Sequence, residues 1–282
     1  MEVILKNISY SYSKVNYKQK EIFNKISLKF DKGKITSILG NVGSGKSTLL
    51  QIIGTNLIPE GEMFFDKVVI NENLILNNFR DIQSKIGFSF SDYLEDTYEE
   101  TVFDALKFIL NYHCYKLDKI NERVSASLKM VGLDDRYYSR KINSLSSGEL
   151  KKISIASALI HNPKIILLDD PTVGLDLTSK LELLKLLRIL KNRFNKTIIV
   201  ATNDIDFIHK ITDYIYVLDH GKIEIEGTKY DVFKNESKLR KLGINIPKVM
   251  EFSNVVLSKK NIKIGYRDEI NDLIKDIYRF VS

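Results

Sequence analysis

"ITSILGNVGSGKSTLLQIIG", residues 35–54, opens as a short apolar strand, turns through three glycines and continues with helical character to Gly54. Within it, GNVGSGKST (40–48) matches G-x-x-x-x-G-K-[ST] in the setting that pattern needs, between a buried strand and a helix. Gly40, Gly43 and Gly45 let the backbone fold closely enough for its N–H groups to surround phosphate oxygens at a positive helix end. Asn41, Ser44 and Thr48 complete the candidate nucleotide contacts of this loop. Lys46 is placed to meet the β and γ phosphates of a nucleotide, and Ser47 to hold Mg²⁺. Asp169 ends the apolar run KIILLD (164–169) and is the natural second partner of that cation. Alone, an aspartate ending a strand caps the following turn, and the phosphate loop is what favours the metal reading.

Strand, glycine loop and helix are the opening unit of an α/β fold. Upstream, residues 3–8 and 22–30 alternate apolar and polar character and read as half-buried strands. From about Asp92 to Ser144 the spacing turns helical, as in TVFDALKFIL, which predicts a helical insertion. Then follow KIILLDD, the amphipathic KLELLKLLRILKNRF (180–194), the strand TIIVAT (197–202) and the hairpin YIYVLDHGKIEIEG (214–227) with a turn at Gly221. Strands alternating with helices predict a mostly parallel sheet covered on both faces. Beyond Thr228 the register changes, Pro247 is placed to open a helix, and Ile270, Leu273, Ile274, Ile277 and Val281 form the apolar stripe of a terminal one.

With 282 residues and 44% hydrophobic content, the chain is long enough for one large core or a main domain with an appendage. Its +7 charge is spread along the whole length without a dense basic block, so no nucleic-acid partner is expected. A lone cysteine, Cys114, fits a reducing cytosol. MEVILKN has no basic region leading into an apolar run, and no window reaches about 18 apolar residues, so neither a signal peptide nor a membrane span is expected.

LSSGEL (145–150) precedes a helix, where Ser146, Ser147 and Gly148 present hydroxyl and N–H groups to an anion; by itself it reads as an ordinary serine cap. Standing just before a strand that ends LLDDPTVGLD, it resembles the signature motif of ATP-binding cassette (ABC) proteins. Walker A (40–48), signature (145–149), Walker B (165–169) and D-loop (173–176, ending in Asp176) occur in that family's order over residues 1–228. KIGFSFSDYLEDTYEETV (85–102) and the tail GTKYDVFKNESKLRKLGINIPKV (227–249) are similar to the energy-coupling factor group, whose acidic Q-loop stretch ends in E-T-V. The resemblance implies an α/β fold, an ABC-type nucleotide-binding domain with a RecA-like P-loop core, an N-terminal antiparallel β subdomain and a helical subdomain (about 92–146), spanning 1–228. A small C-terminal helical dimerisation domain (229–282) is expected to follow. It also implies an ATPase coupled to import of a vitamin or metal ion. Its partners would be a second cassette, a membrane scaffold subunit and a substrate-capture membrane subunit, with the chain at the cytoplasmic face of the membrane. Tyr12 matches the aromatic that stacks on adenine in that family; on residues alone it is equally an ordinary strand tyrosine.

Three positions depart from the motif. The Q-loop glutamine is Ser91, the acid after Walker B is Asp170 rather than glutamate, and the switch histidine is Asn203. Serine is too short to touch both cation and attacking water without an intervening water molecule. Asp170 withdraws its carboxylate by roughly 1.5 Å, one carbon–carbon bond, and misplacement near 1 Å can cost on the order of 10²-fold where positioning is the catalyst. Asn203 donates a hydrogen bond but carries no titratable nitrogen. These changes predict firm Mg-ATP binding with slow hydrolysis at the chain's own site, while Ser147 and Gly148 complete the site on a partner, favouring a different partner chain. The alternatives are a fully active subunit of the same or another ABC importer with Asp170 as working base, a soluble cassette ATPase outside transport, and a nucleotide-dependent scaffold that does not hydrolyse. In DYLEDTYEE (92–100), acidic side chains around Tyr93, Leu94 and Tyr98 are expected to face the scaffold's cytoplasmic helices.

Overall fold

The computed structural model describes residues 1–15, 18–71, 79–89, 100–113, 119–253, 274, 275 and 278. β1 (Val3–Val15) and β2 (Lys18–Phe30) pair antiparallel, and β3 (Ile35–Leu39) then leaves for a second sheet and runs into α1 (Lys46–Ile53). β4 (Glu60–Phe65) and β5 (Val68–Ile70) return to the first sheet, whose order is β2-β1-β4-β5. The chain continues through α2 (Phe79–Gln83), β6 (Ile86–Ser89), α3 (Val102–Tyr112), α4 (Ile120–Met130) and α5 (Ser147–Leu159). β7 (Ile165–Asp169), α6 (Leu177–Phe194), β8 (Thr197–Ala201), α7 (Ile205–Ile211) and the hairpin β9 (Tyr214–Asp219) and β10 (Lys222–Thr228) follow. α8 (Lys229–Lys234) and α9 (Glu236–Lys241) come last, with a helical stretch over 248–253.

The second sheet has the order β10-β9-β3-β8-β7-β6 and is parallel apart from β10. β3, β7 and β8 are buried at every residue, as strands covered on both faces must be. The side chains of β7 and β8 divide by parity. Ile166, Leu168, Ile198 and Val200 join Val124, Ile153 and Leu187 under the helices. Ile165, Leu167, Ile199 and Ala201 face Phe23, Leu49 and Phe65 beneath the antiparallel sheet. A slip of one residue in either strand would exchange the two cores, which pins the register.

One sequence expectation needs correction. β1 and β2 run well beyond 3–8 and 22–30, because register shifts between Leu5 and Ile8 and again near Tyr10 and Tyr12 break the alternation, with Asn7 and Lys25 at positive φ. α1 does stop at Gly54, but that glycine is right-handed (φ −71) and Thr55 takes the left-handed turn (φ 61). Pro247 sits just ahead of the 248–253 helix, its carbonyl accepting from Met250 and Glu251 at 2.9 and 3.0 Å. Of the expected terminal stripe, Ile270, Leu273, Ile277 and Val281 lie outside the described residues, as does Cys114. Among the described residues no helix is long and apolar enough to cross a membrane.

Beside β6, a groove of about 310 Å³ is lined by Phe88, exposed Phe108 and Tyr112, His113 and His161. The two imidazoles stack at 4.1 Å, and His161 bonds the Ile86 carbonyl at 3.0 Å. Burial, with His113, Lys196 and Arg123 adding positive field, lowers His161 from its ordinary pKa to about 4. Between that value and about 6.5 the unfolded chain binds a proton that the folded chain refuses. Stability should therefore be full above pH 6.5 and fall as pH drops through this window, by up to about 1.4 kcal/mol per pH unit. Urea unfolding midpoints at pH 7 and 5 should differ clearly in the natural chain and much less in His161→Gln; an equal acid loss in both would remove His161 as the cause.

Candidate nucleotide-binding site

The parallel register brings the site together. Ile38 pairs with Ala201, and Ala201 with Asp169, so three strand ends align at one sheet edge. Gly40, Asp170 and Asn203 each follow within two residues of those ends, at the carboxyl edge where open α/β sheets bind ligands. The Thr202 N–H donates to the Ile38 carbonyl at 3.1 Å, and the Asp170 N–H to the Ala201 carbonyl at 2.8 Å, locking the three segments side by side.

The loop itself is shaped by close approach. A Cβ on Gly40 would lie 2.2 Å from the Leu218 carbonyl oxygen and 2.7 Å from Ser44 Oγ, so only glycine fits. Gly43 and Gly45 take φ of +80 and +108, and Gly45 caps α1 without any side-chain acceptor. The first N–H groups of α1 are thereby left to a ligand. Lys46 Nζ donates to the carbonyls of Gly40 and Asn41 at 2.7 and 2.9 Å, spanning the loop from within. Burial lowers its pKa, and the neighbouring Asp170 and Asp169 carboxylates partly oppose that.

Asp169 is buried, bonds Ser47 through its side chain, and leaves Oδ1 buried with no hydrogen-bond partner. Burial pushes its pKa up; the Ser47 bond and the Lys151 and Lys46 charges work against this, and Asp170 reinforces it. An orphaned carboxylate oxygen beside a serine hydroxyl fits a hard cation with oxygen ligands. Among the described residues there is no cluster of three or more His, Cys, Asp or Glu side chains that could hold a metal ion. Asp170 stands at φ +41, a left-handed backbone that aspartate tolerates better than longer acids. Asn203 is exposed next to Asp204, which caps α7 through the Phe207 N–H and bonds Lys180 at 2.7 Å. Burial would raise the Asp204 pKa, but those partners hold it below the ordinary value. Tyr12 reaches the loop as well, its hydroxyl 3.2 Å from Thr48 Oγ1 and its ring partly exposed against Tyr10. Ser91 and the acidic stretch 92–99, with its Tyr93, Leu94 and Tyr98, lie outside the described residues.

A separate surface carries Ser146, Ser147, Gly148 and Asp176. Ser146 and Glu149 form a reciprocal capping box, and Glu149 is further held by Tyr137 at 2.7 Å. A Cβ on Gly148 would meet the Gly174 carbonyl oxygen at 2.8 Å, so the signature and the 173–176 loop touch backbone to backbone. Asp176 accepts from the Ser179 N–H at 2.7 Å and starts α6. No hydrogen bond of Ser146, Ser147 or Gly148 reaches Gly40–Thr48 among the described residues. Sequence reasoning missed Lys151, whose buried ammonium lies 3.4 Å from the Asp169 carbonyl oxygen and braces the end of β7. Its spacing, four and seven residues before buried Ile155 and Ala158, places it on the inward face of α5 and was the available signal.

Residues 23–173, more than half of the chain, match the ABC transporter family model. The chain belongs to the ABC transporter family. The cassette is 31% identical over 256 residues to the energy-coupling factor transporter ATP-binding protein EcfA2 of Clostridioides difficile, covering 90% of this chain and 88% of that one. It is 32% identical over 277 residues to EcfA3 of Oenococcus oeni, covering 98% and 93%. A cassette solved as a dimer in a post-hydrolysis state bound to ADP and Pi superposes with TM-score 0.74 at 32% identity, covering 80% of this chain and 98% of that one. CbiO1 of Clostridium perfringens, part of the ABC transporter complex CbiONQ, superposes with TM-score 0.70 at 28% identity, covering 89% and 98%. The fold is that of an ABC nucleotide-binding domain, with the antiparallel sheet, the mixed sheet and the helical layer in place. It is a fold that binds nucleotide.

Proposed function

We propose that this cassette is the ATP-binding subunit of an energy-coupling factor importer for a vitamin or metal ion, binding Mg-ATP firmly and hydrolysing it slowly at its own phosphate loop. The reading rests above all on Asp169 Oδ1, buried and unpartnered beside Ser47, in a site whose acid is the shortened Asp170. Ser47 and Asp169 would hold Mg²⁺, which when bound neutralises phosphate charge. Gly40–Thr48 wraps the phosphates with backbone N–H groups, Lys46 supplies the fixed positive charge, and Tyr12 offers a ring to the base. Asn203 keeps a hydrogen bond toward the terminal phosphate but brings no charge as bonds break.

Ser147, Gly148 and Asp176 serve the nucleotide of a second cassette in a head-to-tail pair, consistent with their exposed or half-exposed placement away from the chain's own loop. Residues 229–282 act as a helical dimerisation domain attached to the 1–228 cassette, with about 92–146 as its helical subdomain. A membrane scaffold docks from the cytoplasmic face along the open groove bearing Phe108 and Tyr112, and a separate membrane protein captures the substrate. In the assembled complex, Asp170→Asn is expected to leave most ATPase activity, whereas removal of the matching acid in the partner cassette abolishes it. Abolition by Asp170→Asn alone would restore Asp170 as the working base.

A further inference from the structure

The two residues that flank Gly40 point into the C-terminal segment. Leu39 is buried in an apolar cluster with Phe233, Leu239, Ile244 and Ile246. Asn41 Nδ2 donates to the Leu242 carbonyl at 2.7 Å, while the Asn41 carbonyl accepts from Lys46 Nζ at 2.9 Å. One residue thus joins the C-terminal segment to the ammonium that spans the phosphate loop.

The Leu242 carbonyl is available for a definite reason. α9 ends in a left-handed Gly243 (φ +71), with the Ile244 N–H returning to the Leu239 carbonyl at 2.9 Å and the Gly243 N–H to that of Arg240 at 3.0 Å. This termination satisfies the carbonyls one turn back and packs Ile244 on Leu239, but the capping residue's own carbonyl is left over. Asn41 takes it. A second tie lies at the other side of the site, where the Lys248 N–H donates to Asp206 Oδ1 at 3.1 Å, three residues past Asn203.

We propose that Asn41 is a positioning residue through which the C-terminal segment sets the conformation of the phosphate loop, so that nucleotide occupancy and the seating of residues 236–250 are linked. The linkage is reciprocal: whatever loosens the Leu242 carbonyl weakens nucleotide binding, and nucleotide binding firms up the segment. It rests on nucleotide binding at Gly40–Thr48 and on nothing in the hydrolytic chemistry.

The test uses the full chain with Mg²⁺ and the β,γ-imido analogue of ATP, by titration calorimetry on the natural chain, Asn41→Ala, Gly243→Ala and the double variant. An alanine at 243 is strained at φ +71 and brings its Cβ within 3.4 Å of Asn41 Nδ2, so it disturbs the clamp from outside the nucleotide site. Gly243→Ala should weaken the analogue about 5-fold, and less than about 2-fold once Asn41 is already alanine. Equal weakening in both backgrounds overturns the coupling. Hydrogen exchange reads the reverse direction: amides of 239–250 should slow on adding analogue in the natural chain and not in Asn41→Ala, and equal slowing in both overturns it independently. Absence of analogue binding by the natural chain would sink the underlying nucleotide reading as well, an outcome distinct from additivity.

Discussion

Replacing Lys46 with methionine is expected to weaken ATP binding by about 10- to 100-fold while leaving the fold nearly as stable as before. A hydrogen bond to a charged group contributes about 1.5–3 kcal/mol, which is the tenfold to hundredfold range, and Lys46 is the loop's only fixed positive charge. Methionine preserves the length and fills the same buried channel. The ammonium's lowered pKa shows that burial opposes its charge, so losing that charge relieves a cost that offsets the lost bonds to Gly40 and Asn41. Calorimetric titration of ATP and a thermal midpoint together check this. Undiminished affinity would mean that triphosphate is not held at Gly40–Thr48.

Restoring the hydrolytic residues should have an effect of opposite sign. Asp170→Glu combined with Asn203→His is expected to raise phosphate release at this site by on the order of 10²-fold, because positioning of the acid supplies much of the rate in phosphoryl transfer. The change carries a stability cost. Asp170 holds a left-handed backbone, its N–H fixed to Ala201 and its carbonyl to the Val173 N–H at 3.2 Å, and glutamate adapts to that geometry less well. About 1 kcal/mol of lost stability is the expected scale. The measurement is phosphate release by the assembled complex with the partner cassette's acid removed, so that only this site turns over. An unchanged rate would show that the shortened acid is not what slows the site.

The nucleotide loop was legible because its constraints are local: a five-residue apolar strand, three glycines and a lysine state their geometry in twenty residues, and β3 and α1 occupy the expected positions. Strands β7 and β8 were legible because each carries an unbroken run of Ile, Leu or Val, while the edge strand β6, only four residues with a glycine and a serine among them, was not read as a strand. The antiparallel sheet was less so, since its bulges at Asn7 and Lys25 shift the alternation by one residue each time and erase the period. The contacts of Asn41 with Leu242 and of Lys151 with Asp169 were not foreseen at all. Each depends on where a side chain lands after distant segments have packed: an asparagine in a turn carries no mark of its partner, and the spacing of Lys151 could show that it faces inward but not which carbonyl it would meet.

At positions 148 and 174 the absence of side chains has a mechanical consequence. With no cushion between them, the turn into α5 and the turn into α6 bear directly on each other, and hard backbone contacts compress very little. A push on Ser147 is therefore felt at Asp176 with hardly any slack, and whatever meets this face encounters one stiff ledge in place of two yielding loops.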